Sequence, residues 1–256
     1  MNLKIKLHST LILMILSLII VTGCKSDVEN IQEEIDKNIE TKLSESLKPV
    51  VSTMSFYLYA VPENYWYPDG TTAKEMIEDG LKLGYRKLGQ LDEDISSIQT
   101  NNSEITEAID TLHNRIKKSR MRLRDAQKAM EKVNSIFGFG LYGGMSTLYD
   151  FLSLFGGNEN SNDEDNPVMP KDVLEAFDNL KDAIRKANFD FLTQAHDFET
   201  KAISTRHLSI EQQTTIRFYL KQKIRSSINL YYTGSDTTVR NEATERLLNN
   251  YDKLSQ

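Results

Sequence analysis

The chain has 256 residues, a formal net charge of −6 at pH 7, 27% charged residues and a single cysteine. A mildly acidic balance lacks the basic footprint of a general nucleic-acid binder. One cysteine excludes an internal disulfide, so packing alone must hold the roughly 230 residues beyond the leader, enough for one good core.

Residues 1–23 read as a lipoprotein signal peptide. Lys4 and Lys6 form a basic start, and Leu11 to Val21 is an apolar run, interrupted only by Ser17, that is too short to span a bilayer. The run leads into "VTGC", Val21-Thr22-Gly23-Cys24, which has the form of a bacterial lipobox: small residues before a cysteine whose thiol takes a diacylglyceryl group and which cleavage leaves first in the chain. The other reading is an ordinary signal peptide with an incidental cysteine, but the only cysteine stands where cleavage is expected. Losing Lys4 and Lys6 takes the formal charge from −6 to about −8. Fatty chains on Cys24, palmitate among them, anchor the protein to a membrane without a transmembrane helix. Residues 24–27 then read as a lipidated tether, and 28–256 as a single helical-bundle domain.

Val28, Ile31, Ile35, Ile39, Leu43 and Leu47 recur at spacings of three and four, the stripe of an amphipathic helix that Pro49 is expected to end. The aromatic stretch "SFYLYAVPENYWYPDG" follows and reads as a loop because of its two prolines and its Asp69-Gly70 close. Tyr65, Trp66 and Tyr67 within it are candidate partner contacts, since rigid amphipathic rings are common at binding hot spots. The same rings would equally serve to cap the bundle.

Thr72 and Glu75 have the spacing of a capping box. Beyond them Ile77, Leu81, Gly84, Leu88, Leu91, Ile95 and Ile98 alternate four and three, "TNN" breaks the run at Thr100 to Asn102, and Ile105, Ile109, Leu112, Ile116, Ser119, Leu123, Ala126, Met130 and Val133 resume it. Two long stripes of period 3.5 joined by a few residues predict an antiparallel helical hairpin. The second helix also carries Arg115, Lys117, Lys118, Arg120, Arg122, Arg124 and Lys128, opposed only by Asp125. One reading is a patch for a polyanion, centred on Arg120. The reading favoured by their spread around the helix is a solvated face neutralised by Glu33, Glu34, Asp92, Glu93 and Asp94.

Between Ile136 and Gly157 lies a stretch rich in glycine and aromatic residues, with Asp150 its one charge. Gly138, Gly140 and Gly143 match the G-x-G-x-x-G spacing, but that fingerprint needs a preceding strand, and a helix stands there instead. A tight corner closing one end of the bundle is favoured over a membrane-seeking tongue. "NENSNDEDNPVMP" is an acidic loop whose Asp163, Glu164 and Asp165 are further candidate contacts. Pro170 then starts a long helix along Val173, Phe177, Leu180, Ile184, Ala187, Phe191 and Phe198. Ser209 with Gln212 opens the next helix, striped by Ile216, Leu220, Ile224, Ile228 and Tyr231. "YTGSD" turns the chain into a last helix marked by Val239, Ala243, Leu247 and Tyr251. No segment alternates with period two. The architecture is an all-α antiparallel bundle of about six or seven amphipathic helices, three of them long.

No catalytic constellation stands out. His113, His196 and His207 form no H-E-x-x-H pattern, no G-x-S-x-G elbow occurs, and an acylated Cys24 leaves no free thiol. The expectation is a protein that is not an enzyme, with no metal, cofactor, nucleic acid or small-molecule substrate.

The loose "VTGC" lipobox, the mature length, the lack of disulfides and the amphipathic helices together resemble the helical outer-surface lipoproteins of Borrelia, nearest in kind the complement-regulator-acquiring proteins. The resemblance covers the layout of the whole chain, with the lipobox its one motif. It implies an outer-membrane, surface-exposed protein that binds a host serum protein, first of all complement factor H or a related regulator, in immune evasion and virulence. Other functions stay open: an adhesin for extracellular matrix or glycosaminoglycan, an envelope-structural lipoprotein, or a membrane-perturbing protein using residues 136–155.

Overall fold

The computed structural model describes the backbone of residues 26–59, 73–137 and 170–254, and the side chains of 26–56, 81–128 and 170–254. Cys24 and its leader, the Thr72–Glu75 cap, the aromatic residues Tyr65 to Tyr67, the glycine-rich stretch after Phe137 and the acidic loop with Asp163 to Asp165 lie outside the described residues. Every regular element among the described residues is helical: α1 (Asp27–Asn38), a π turn (Ile39–Leu43), α2 (Ser44–Ser52), α3 (Met54–Tyr59), α4 (Ala73–Ser96), α5 (Ser103–Phe137), α6 (Lys171–Ser204), α7 (Ile210–Tyr231) and α8 (Thr237–Leu254). The all-α architecture read from the stripes is the observed one.

Contacts gather into two compact units, residues 1–44 with 194–227 and residues 45–193 with 228–256. In the first, α1 opens at Ser26, whose hydroxyl accepts from the Glu29 amide while the Glu29 carboxylate accepts from the Ser26 amide. The fold thus begins inside the stretch 24–27 read as tether. Ile31, Ile35, Ile39 and Leu43 are buried, as are Ala195, Ala202, Ile216, Leu220 and Ile224. A strict four-residue spacing drifts around an α-helix by about 40° per step. The π turn winds each residue through a smaller angle and returns part of that drift, which keeps Ile39 and Leu43 facing inward. Glu199 is 2% exposed and accepts from Arg217 Nε at 2.8 Å, a buried carboxylate where the sequence stripe had placed Phe198. On α1, Asp36 accepts from the Tyr219 hydroxyl at 3.1 Å and stands 2.9 Å from Lys223 Nζ. Glu34 accepts from Arg206 at 2.7 Å.

The second unit is built on the α4–α5 hairpin. Asp92 meets His113, and seven residues back along α4, Tyr85 meets Arg120, seven residues forward along α5. Such pairing makes the helices antiparallel with a heptad register. Asn102 caps α5 through its side-chain oxygen on the Ile105 amide. The core joins Leu81, Leu88, Leu91 and Ile95 of α4 to Ile105, Leu112, Ile116 and Leu123 of α5 and to Val173, Phe177, Leu180 and Ile184 of α6. Lys186 pairs with Glu104, and Arg115 with Asp172 at 3.8 Å, so α6 runs antiparallel to α5.

Pro49 does not end the first stripe: it sits inside α2, which continues to Ser52. An interior proline costs about 3 kcal/mol. Beyond it Val50, Val51, Met54 and Phe56 are all buried, at roughly 1.5–3 kcal/mol each, so burial wins. The start of the expected aromatic loop is helical for the same reason, with Phe56 packed on Phe177 at 5.5 Å between ring centroids.

The Asp36 network of the first unit generates a pH dependence. Hydrogen bonding to Asp36, and then to Tyr219, holds the Lys223 ammonium above its ordinary 10.5. A raised lysine stabilises the fold fully below its unfolded value and loses that contribution as pH rises through the folded one. Because both partners are over a third exposed, Lys223→Met should lower stability at pH 7 by no more than about 1 kcal/mol. Thermal melts should show the gap to the parent closing above pH 10.5; a gap unchanged there would assign the loss to the packing of the lysine stem.

Candidate functional site

Of the expected contact residues, Arg120 is the one within the described side chains, and it is half-buried rather than part of a solvated face. Its guanidinium lies 4.3 Å from the centroid of the Tyr85 ring, and its Nε is buried without a hydrogen-bond partner. Gly89 makes room for it: a Cβ there would stand 3.3 Å from the Arg120 guanidinium. A cation over an aromatic face, in a slot left by a glycine, is held in place without a carboxylate.

Arg120 lines a trough of about 320 Å³ between α4 and α5, together with Tyr85, Asp92, His113, Lys117, Met121 and Arg124. Lys117, Arg120 and Arg124 stand at i, i+3 and i+7, so the register of α5 brings them to one side, while Lys118 and Arg122 fall elsewhere. Two of the acids expected to neutralise this helix face other basic side chains. Asp92 stands 2.8 Å from His113 Nδ1 and Glu34 pairs with Arg206. Arg115, outside the trough, pairs with Asp172. Lys117, Arg120 and Arg124 form no ion pair among the described residues, and Lys117, Lys118, Arg122 and Arg124 are exposed, as a solvated face would be. The Asp92–His113 contact is not an aligned hydrogen bond, and its attraction exists only with the imidazole protonated.

A second, larger cleft of about 670 Å³ lies between the α4–α5 turn and the α7–α8 turn, lined by Lys48, Ser55, Thr100, Asn101, Tyr231 and Tyr232 among others. The Ser55 and Tyr232 hydroxyls are 3.0 Å apart, and the Tyr232 hydroxyl also donates to the Asp236 carbonyl. At the cleft's edge partial desolvation, and then the charge of Glu93, raise the Asp94 carboxyl above its ordinary range. The cleft's two charged lining residues, Lys48 and Asp94, are of opposite sign, whereas the trough carries an excess of cations. Among the described residues no group of three or more His, Cys, Asp or Glu is placed to hold a metal, and no helix is long and apolar enough to cross a membrane.

Sequence reasoning named Arg120 but missed Tyr85, Gly89 and Met121. The signal for Met121 was present in its helical offset from Lys117 and Arg124; Tyr85 and Gly89 need the register across the hairpin. Gly89→Ala tests the slot. Alanine favours a helix over glycine by about 1 kcal/mol, and the group it meets is the movable end of a long side chain. The variant should melt slightly higher than the parent, with Arg120 displaced from Tyr85 and tyrosine fluorescence altered. A lower melting temperature would mean that the guanidinium cannot yield.

In comparisons with known proteins, no family model, curated protein or solved structure matches the chain.

Proposed function

We propose that the protein is a lipid-anchored binding protein of a bacterial outer surface, not an enzyme, whose partner is a host serum protein. The observation that carries this reading is the interval between the lipobox and the fold. Cys24 is followed, two residues on, by Ser26, which already caps α1. An acyl chain on Cys24 would hold the first unit against the headgroups with almost no tether, leaving loops and helix faces to meet a partner. Replacing Cys24 with Ser should abolish labelling by radioactive palmitate and move the protein from detergent to aqueous phase. Labelling that survives the change would remove the anchor from Cys24.

The partner to test first is a complement regulator such as factor H, as the resemblance to the helical surface lipoproteins of Borrelia implies. An acidic lipoprotein would meet a basic region of such a partner through Asp163, Glu164 and Asp165, with Tyr65, Trp66 and Tyr67 as apolar contacts. Surface plasmon resonance with purified factor H should show binding that weakens as salt rises and on neutralising the three acids. No binding at micromolar protein would remove this ligand; binding indifferent to the acids would move the contact elsewhere.

A further inference from the structure

We propose that the trough between α4 and α5 docks an acidic peptide segment of a partner protein, with carboxylates on the cations and an apolar side chain against Met121 and Tyr85. This goes beyond the reading of a surface-anchored protein and stands whether or not Cys24 is acylated.

The charge argument comes first. In a chain of formal charge −6, three basic side chains, Lys117, Arg120 and Arg124, share one side of α5 without an ion pair among the described residues. Seven residues of helix rise about 10 Å, so the three lie within about one screening length at physiological salt and act together on a bound anion. Acids farther away on the chain are screened. Asp92 is the one carboxylate among the lining residues, so the three cations still outnumber the acid by two.

Arg120 adds pre-organisation. Tyr85 and Gly89 fix its guanidinium, and its buried Nε has no acceptor, so much of the desolvation that binding would require has already occurred in the folded chain. A planar guanidinium held in this way suits a carboxylate, which it can grip with two parallel bonds.

The apolar argument selects the class of partner. Met121 is 49% exposed and Tyr85 37% exposed, both on the trough wall beside the cations. A free phosphate or a sulfated polysaccharide has nothing to place against a thioether. A peptide with an apolar residue among its acids does, and Met, Tyr and Arg are the side chains enriched at protein interfaces. A volume of about 320 Å³ accommodates one or two side chains rather than a folded domain, so the occupant is a segment.

The test uses the full chain in mild detergent and fluorescence anisotropy of a labelled peptide with a three-residue repeat, a glutamate pair and a single leucine. Controls are the same peptide with glutamine for glutamate, the same peptide with serine for leucine, and a size-matched heparin fragment. Saturable binding to the glutamate–leucine peptide alone supports the proposal. Lys117→Gln and Arg124→Gln, both at exposed positions, should each weaken it by roughly tenfold, and Met121→Ala by several-fold. Arg122→Gln, away from the trough, should leave it unchanged. Arg120→Gln should abolish it, and circular dichroism of that variant shows whether the helices survive. The proposal is overturned if the glutamate–leucine peptide does not bind at millimolar concentration. It is equally overturned if the serine peptide or heparin binds as well and Met121→Ala has no effect, which would make the trough a general polyanion stripe. Equal losses from Arg122→Gln and Lys117→Gln would overturn the location.

Discussion

The apolar seam of α4, α5 and α6 is the constraint on which the second unit depends. With its single cysteine at position 24, the chain has no cross-link to hold its helices, and isolated helices are marginal in water. Leu88, Leu91 and Ile95 must therefore meet Ile105, Leu112 and Ile116, and both rows must meet Phe177, Leu180 and Ile184. At roughly 1.5–3 kcal/mol for each large side chain taken out of water, this seam dwarfs the exposed ion pairs around it, which contribute at most about 1 kcal/mol each.

The same seam creates the trough. A heptad register along an antiparallel hairpin fixes not only which side chains are buried but which flanking ones stand opposite each other. Tyr85 faces Arg120 and Asp92 faces His113 because both pairs are one heptad apart on the same register. Gly89 lies between those levels on α4, and its missing side chain lets the Arg120 guanidinium enter the flank of the hairpin. A glycine in a helix interior and a buried nitrogen without an acceptor are both local costs to folding. Such departures from local consistency concentrate where a structure serves something other than stability. The first unit shows the opposite economy: Glu199, nearly fully buried, has Arg217, and Asp36 has Tyr219 and Lys223.

Where sequence expectation and structure part, tertiary burial is the reason. Pro49 is a helix breaker by its own chemistry, but Val50, Val51, Met54 and Phe56 have a core to enter, and the helix continues. The row Ile31, Ile35, Ile39 and Leu43 has a period of four, which no straight α-helix keeps on one face, and the π turn absorbs the mismatch. Glu199 reads as a solvent-facing residue beside Phe198 until Arg217, eighteen positions away, makes its burial affordable.

Period and turn chemistry alone determined the all-α class, the long helices, the antiparallel hairpin around Asn102 and the cap at Ser209, because each rests on residues within a few positions of one another. The lipobox reading of Cys24 is local in the same way. The fate of the charges on α5 was not legible. A helical wheel places Lys117, Arg120 and Arg124 on one side, but whether that side is neutralised depends on what the neighbouring helix presents there. That is set by the register, by the slot at Gly89 and by the ring of Tyr85, all some thirty residues away along the chain. Charges act through space, and only the packed hairpin defines the distances.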